Sequence, residues 1–234
     1  MKVLLFGGTT EGRAHAALLR SQGHEVLVSV ASEAGRMELP EDMPCHAGRL
    51  DAPGMCALAR SFGAERLIDA THPFAISAHE NIRLCAETLS LPLERVMRPS
   101  DREADFSRYV TWVRDAEEAA RTLLETTGNV LLTTGGNTLG VYASIVDSAR
   151  LYARVLPVEA SLGKCAEAGL HISHVIAMQG PFSQAFNRAL YEQWDIAVLV
   201  TKDSGNAGGV RDKVLPALAL GMRVIMIGRP EREA

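Results

Sequence analysis

The sequence predicts an α/β protein made of two halves, each built on a parallel sheet, and three observations carry that prediction. A short β-branched or Leu-rich run, a loop of Gly, Thr, Ser, Asn or Pro, and an Ala/Leu-rich amphipathic segment return in that order along the chain. The apolar runs are continuous rather than alternating, as in strands covered on both faces. Between Leu91 and Tyr109 the composition shifts to "LPLERVMRPSDREADFSRY", rich in arginine and carrying Pro92 and Pro99, which reads as the connection between residues 1–98 and residues 99–234.

In chain order, "KVLLFGGTTEG" opens with a strand and turns through glycines into an Ala/Leu-rich helix over Gly12 to Gln22. Glu25 to Val30 is a β-branched strand, and Pro53 to Phe62 a helix with proline in its first turn, where the missing N–H costs nothing. "RLIDATHPFA" from Arg66 is a strand and loop, followed by a helix over Ile76 to Leu89. Beyond the connection, a helix is expected over Asp115 to Thr126, then a strand and loop in "NVLLTTGGNT" from Asn129 and a strand over Leu151 to Leu156. "HVIAMQGPFS" from His174 leads into a helix over Phe182 to Glu192. "IAVLVTKDSGNAGG" from Ile196 and "RVIMIGRP" from Arg223 complete the series. Pro216 breaks the local rule, since it should kink or delay the helix expected after Gly209.

Composition excludes several classes of function. With 234 residues, 47% of them hydrophobic and 22% charged, the chain can bury a real core, and its net charge of -4 argues against disorder and against nucleic acid held by counterion release. The amino terminus lacks a signal pattern, and no apolar run approaches the ~18 residues of a membrane span, so a cytoplasmic protein is expected. Cys45, Cys56, Cys85 and Cys165 are scattered, and His171 and His174 lack a carboxylate or thiol at ligand spacing, so no protein-bound metal is expected.

The opening turn brings free backbone N–H groups and the positive end of a helix dipole to one spot, which suits a phosphate. Gly7 and Gly12 match a GxGxxG fingerprint whose middle glycine is replaced by Thr9; Gly8 offers another position for close approach, and the Thr9 and Thr10 hydroxyls can add donors. The plainer alternative is a tight strand-to-helix turn with Thr10 capping the helix. A dinucleotide fold carries an acid for the ribose ~20 residues further on. Here "VSVASEAGR" offers Glu33 for a bare ribose, or Ser29, Ser32 and Arg36 for a 2'-phosphate, so NADH and NADPH both remain open. In "DATHPFA", Asp69 ends a buried strand and His72 precedes a proline, which should point both over the sheet's carboxyl edge, as ligand groups or as groups that order the loop.

Taken in series, "GGTTEGR", "SVASEAGR", "DATHPFA", "LLTTGGNTL", "YARVLP", "MQGPFS" and "VTKDSGNAGG" resemble the precorrin-6A reductase family of cobalamin biosynthesis over nearly the whole chain. The resemblance implies two Rossmann-like α/β domains with an interdomain cleft, and reduction of one double bond in precorrin-6A or cobalt-precorrin-6A by NADH or NADPH. It assigns Gly7, Gly8, Thr9, Thr10 and Glu11 to the cofactor phosphates and the stretch from Ser29 to Arg36 to the ribose end. Asp69, Thr71, His72, Pro73 and Phe74 match an interdomain signature, which puts Asp69, Thr71 and His72 at the cofactor. Thr134, Gly135, Gly136, Gln179, Gly180, Pro181, Lys202, Asp203, Ser204 and Gly205 match loops that would meet the tetrapyrrole. The chain departs from the family pattern in stopping soon after "GRP", at Ala234.

Lys202 is the first candidate to stabilise negative charge developing in the reduced ring or to hold a substrate carboxylate, with a salt bridge to Asp203 or Asp212 as the structural alternative. His72 is the second candidate, as proton donor, although solvent can also supply the proton. Arg98, Arg102, Arg211 and Lys213 are candidates for substrate carboxylates. Glu33 weighs towards NADH and the cobalt-containing macrocycle. A dehydrogenase of the YxxxK type is disfavoured, because Tyr109, Tyr142, Tyr152 and Tyr191 all lack a Lys at that offset. A non-catalytic nucleotide- or tetrapyrrole-binding module remains the other alternative, and the sequence leaves the oligomeric state open.

Overall fold

Strand and helix alternate as the residues dictate in a computed structural model that describes residues 1–97, 100–205 and 208–230. The chain divides into two compact units, Met1–Arg98 and Pro99–Ala234, and every strand pair in both is parallel.

The first unit runs β1 (Lys2–Gly7), α1 (Thr10–Ser21), β2 (Glu25–Val30), α2 (Glu33–Met37), β3 (Cys45–Ala47), α3 (Ala52–Phe62), β4 (Arg66–Ala70), α4 (Ile76–Leu89) and β5 (Leu93–Arg95), with sheet order β3-β2-β1-β4-β5. Side chains alternate across the sheet, so Val3 and Leu5 of β1 join Ala16 and Leu19 of α1 in one core. Leu4 and Phe6 join Met55 and Ala59 of α3 with Ile82 and Cys85 of α4 in another. Burial on both faces explains why "VLLF" is continuously apolar. Asp51 caps α3 by accepting from the Gly54 N–H at 2.9 Å, and Gly63, at φ 72°, ends it.

The second unit runs β6 (Thr111–Val113), α5 (Ala116–Leu123), β7 (Asn129–Leu132), α6 (Leu139–Ala143), β8 (Leu151–Val155), α7 (Glu159–Glu167), β9 (Val175–Ala177), α8 (Gln184–Gln193), β10 (Ile196–Lys202), α9 (Val210–Ala219) and β11 (Arg223–Ile227). Its sheet order is β6-β11-β10-β7-β8-β9. One face is packed by α8 and α9 through Leu190, Tyr191, Val210, Val214 and Ala217, against Leu199 and Val224 of the strands.

Two local expectations are corrected. The segment from Leu91 is not all connection, because Leu93–Arg95 pairs with β4 as an edge strand. Pro216 does not delay its helix, since α9 runs through it. A proline leaves the carbonyl four residues back without its helical donor. That acceptor, on Asp212, is taken by the Asn187 side-chain amide of α8 at 2.9 Å, and beside it the Tyr191 hydroxyl donates to the Lys213 carbonyl at 3.0 Å.

Each sheet has a point where the strand order reverses, the place where parallel α/β sheets bind ligands at their carboxyl edge. In the first unit it lies between β1 and β4, where "GGTTEG" and "THPFA" leave the sheet. In the second it lies between β7 and β10, where "TTGGNT" and "DSG" leave.

Candidate active site

At the first unit's reversal, three glycines do three different jobs. A Cβ on Gly7 would stand 2.8 Å from the Ala70 carbonyl oxygen, so only glycine permits β1 and β4 to end this close. A Cβ on Gly12 would meet the Ala70 Cβ at 3.1 Å, which fits the glycine that lets a helix pack on the sheet. A Cβ on Gly8 would meet only the Val30 side chain at an ordinary 3.8 Å, so nothing in the fold demands glycine there and the backbone is open to close approach.

The cap of α1 is Thr9 rather than Thr10. Its hydroxyl accepts from the Gly12 N–H at 3.0 Å and donates to the Ala70 carbonyl at 2.9 Å, so it is no spare donor for a phosphate. Thr10 Oγ1 accepts from Arg13 at 3.3 Å, and the same guanidinium donates to the Gly8 carbonyl at 3.1 Å, bracing the turn. Glu11 occupies the first helical turn, where a carboxylate suits the helix dipole and opposes a second anion. At the end of β2, Ser29 is buried within the strand, and Ser32 caps α2 by accepting from the Gly35 N–H at 3.3 Å, which leaves its own O–H to donate. Glu33 and Arg36, expected as alternatives, lie 3.6 Å apart as an exposed pair on the same short helix.

Asp69 does not project freely over the edge. Its Oδ1 accepts from the Thr71 hydroxyl at 2.7 Å and the Thr71 N–H at 3.1 Å, and its Oδ2 lies 2.7 Å from Nδ1 of His79. Arg95 of β5 donates to His79 Nε2 at 2.9 Å, which leaves the His79 proton on Nδ1, directed at Asp69. Burial acts to raise the Asp69 carboxyl, but the hydrogen bonds from His79 and Thr71 outweigh it and hold it below the ordinary carboxylate range. Asp69 therefore orders the loop, and His79, a buried residue of α4 that the sequence reading missed, is its partner. His72 Nδ1 accepts from the Phe74 N–H at 3.3 Å, which puts the proton of the neutral ring on Nε2.

In the second unit, Thr134 is buried with its hydroxyl 3.0 Å from that of Thr138, and Gly135, at φ 83°, turns the chain into a short 3-10 stretch from Gly136 to Thr138. Gln179 and Gly180 leave β9 into a cis bond before Pro181. Lys202 ends β10 beside Ile227 of β11, and burial pushes its ammonium below the ordinary lysine range.

Asp203, expected at the substrate, is instead enclosed by its own unit. Its Oδ2 accepts from the Ser100 hydroxyl at 2.6 Å, and its Oδ1 accepts from the Asp101 N–H at 3.0 Å and from Arg229 at 3.3 Å. Asp101, 5% exposed, accepts from the Gly205 N–H at 3.1 Å. Burial and the neighbouring Asp203 charge push the Asp101 carboxyl up to about 6. Ser100 and Asp101 thus tie the loop of Lys202, Ser204 and Gly205 to the start of the unit. Ser204 is itself mostly buried.

Of the basic candidates, Arg211 pairs with both oxygens of Asp105 at 3.0 and 3.4 Å, and Arg102 lies over the Trp112 ring at 4.9 Å. Lys213 is half-buried in the first turn of α9, and Arg98 lies outside the described residues, as do Asn206 and Ala207 of the last motif. Among the described residues no group of three or more His, Cys, Asp or Glu side chains is placed to hold a metal, and no helix is long and apolar enough to cross a membrane.

Comparison with known proteins gives these loops a context. The profile of the family described as Precorrin-6x reductase CbiJ/CobK matches residues 2–234. A Cobalt-precorrin-6A reductase of Priestia megaterium is 37% identical over 99% of this chain and 91% of its own length. One of Salmonella typhimurium is 34% identical over 97% of this chain and 87% of its own. The solved structure titled "CobK precorrin-6A reductase" superposes with a TM-score of 0.80 at 26% identity, over 100% of this chain and 90% of that one.

Proposed function

The chain belongs to the precorrin-6x reductase family, and from that premise we propose that it is a nicotinamide-dependent reductase that saturates one double bond of cobalt-precorrin-6A. The relatives at 37% and 34% identity, both named for that substrate, support the cobalt form over the metal-free macrocycle. The observation that carries the cofactor assignment is the open backbone at Gly8, set between the end of β1 and the capped start of α1, where an added Cβ would meet nothing tighter than 3.8 Å.

The residues present fit a dinucleotide. Gly7, Gly8 and the first N–H groups of α1 would receive its phosphates, with Thr10 as the side-chain donor, and Ser32, Glu33 and Arg36 would meet its ribose end. When bound, a nicotinamide supplies the two electrons as hydride. The protein's own contribution is orientation and charge. Lys202, desolvated at the end of β10, would lower the energy of negative charge spreading into the conjugated ring, a larger effect in a dry site than in water. His72, whose Nδ1 accepts from the Phe74 N–H, would offer Nε2–H as a hydrogen-bond donor to the macrocycle, and solvent would return the proton. Thr134, Gly135, Gly136, Gln179 and Gly205 would line the macrocycle site, and Asp69, Thr71 and Asp203 would hold the loops that carry the acting groups.

Loss of nicotinamide absorbance on adding cobalt-precorrin-6A to the purified chain, run in parallel with NADH and NADPH, tests the proposal. Turnover strictly dependent on the macrocycle is expected. Binding of both ligands without turnover would instead identify a non-catalytic module, and faster reduction of metal-free precorrin-6A would reverse the choice of substrate.

A further inference from the structure

Arg154, near the carboxyl end of β8, is 8% exposed, yet among the described residues it pairs with no carboxylate. Its Nη1 donates to Asn187 Oδ1 at 2.7 Å, and the Phe182 ring lies 4.6 Å from the guanidinium carbon. Asn187 is fully buried and cannot turn, because its amide donates to the Ser183 and Asp212 carbonyls at 3.0 and 2.9 Å. The guanidinium is therefore fixed by one amide oxygen and one ring face, with most of its five N–H donors unspent.

A buried cation held this way is costly unless an anion completes it. A second cation aggravates the cost. Lys213 follows Asp212, whose carbonyl accepts from the same Asn187 amide that holds Arg154, and there burial and the Arg154 charge push its amine down to about 8 against the opposing pull of Asp101 and Asp212. Both side chains belong to the unit whose carboxyl edge carries the Lys202 loop.

We infer that Arg154 and Lys213 together form a carboxylate site, with the guanidinium oriented by Asn187 and Phe182, that receives one peripheral acid side chain of the macrocycle. A carboxylate matches the planar fork of Arg154 with two oxygens and brings Lys213 the counter-charge it lacks at close range. The identification of the acid as the substrate's rests on the proposed reductase function; the site itself does not. Phe182, stacked on Phe186 with ring centroids 4.9 Å apart, covers one face of the guanidinium from the loop after Pro181.

The test compares the full-length wild type with Lys213→Met, Arg154→Met and Arg154→Lys, each first shown by circular dichroism to be folded. Two quantities are read: affinity for uroporphyrin III, a stable polycarboxylate macrocycle, from its fluorescence, and KM for cobalt-precorrin-6A beside KM for the nicotinamide. Loss of one charge-assisted contact should weaken uroporphyrin binding and raise the macrocycle KM about 10- to 100-fold. The nicotinamide KM should stay within about twofold. Arg154→Lys, which keeps the charge and loses the fork, should fall between. Since Lys213 is half-buried, Lys213→Met keeps the test open if the Arg154 variants do not fold. Equal uroporphyrin affinity in wild type and Lys213→Met, or no binding by the wild type, would overturn the carboxylate site. Uroporphyrin binding that weakens in the variants, with no turnover by the wild type, would overturn the reductase reading and leave the site standing.

Discussion

Gly7 and Gly8 are adjacent and chemically identical, and the structure separates their duties. Because a Cβ on Gly7 would press on the Ala70 carbonyl at 2.8 Å, Gly7→Ala should destabilise the first unit by about 1–3 kcal/mol in urea unfolding. A Cβ at position 8 meets only Val30, at 3.8 Å, so Gly8→Ala should leave stability within about 0.5 kcal/mol, and Gly8→Val, if folded, should abolish NADH and NADPH binding in calorimetry. Undiminished cofactor affinity in a folded Gly8→Val protein would remove the phosphate assignment. Lys202→Ala should lower kcat by about 100-fold or more with little change in nicotinamide KM, the signature of charge stabilised only as the reaction proceeds. A change confined to the macrocycle KM would make Lys202 a binding group. The glycine turn, His72 and Lys202 stand out in the sequence because their residue types are unusual at strand ends. His79 and Arg154 do not, because a lone histidine in "ISAHENIRL" and an arginine in "LYARVLP" look like any helix or strand residue until the fold brings Asp69 to one and Asn187 to the other.

A strand-to-helix turn is only as well placed as the cap that holds it. Thr9 closes α1 and ties it to β4 through one hydroxyl, so Thr9→Ala should cost about 1–2 kcal/mol and also weaken cofactor binding. Thr9→Ser should restore both, since its hydroxyl can make the same two bonds; failure of the serine variant would mean that the threonine methyl, not the cap, matters. Capping also shows where reading elements from residues stops working. The central strands β1, β7, β10 and β11 are legible because both their faces are buried and the chain spells that out as apolar runs. Cys45–Ala47, Leu93–Arg95 and Thr111–Val113 are not, because three residues at a sheet edge are too few to show a period and keep polar side chains beside water. The same applies to the single-turn helix Glu33–Met37, which has no buried residue and exists through the Ser32 cap. Pro216 misleads for a different reason: the donor that rescues its helix comes from Asn187 on another helix, a tertiary partner that local sequence cannot announce.

For the molecule as a whole, each of the two units is held by its own buried clusters, and the loop that carries Lys202 is anchored by a pair of buried acids within the second unit. Asp101 is raised to about 6 from an ordinary 3.8, so between these values the folded chain binds a proton that the unfolded chain has already released. The sign follows from linkage: this group's contribution is fully present below 3.8 and is lost as pH rises through about 6, on the order of 3 kcal/mol across the window. Asp69 acts oppositely and at lower pH, because its depressed carboxyl stabilises the first unit above the ordinary value and that contribution is lost as pH falls. Comparing wild type with Asp101→Asn isolates the second-unit effect from the first. The carboxamide keeps an oxygen for the Gly205 N–H and presents a neutral group to Asp203, so the variant should lack the fall in stability between pH 4 and 6 that wild type shows in urea unfolding. At pH 7 it should be at least as stable as wild type, because a like-charge contact has been removed from a buried site. Parallel pH profiles for the two proteins would mean that Asp101 and Asp203 are both ionised without penalty, with Arg229 and the Ser100 hydroxyl neutralising the pair. The Lys202 loop would then be held by an ion cluster, and salt rather than pH would loosen it.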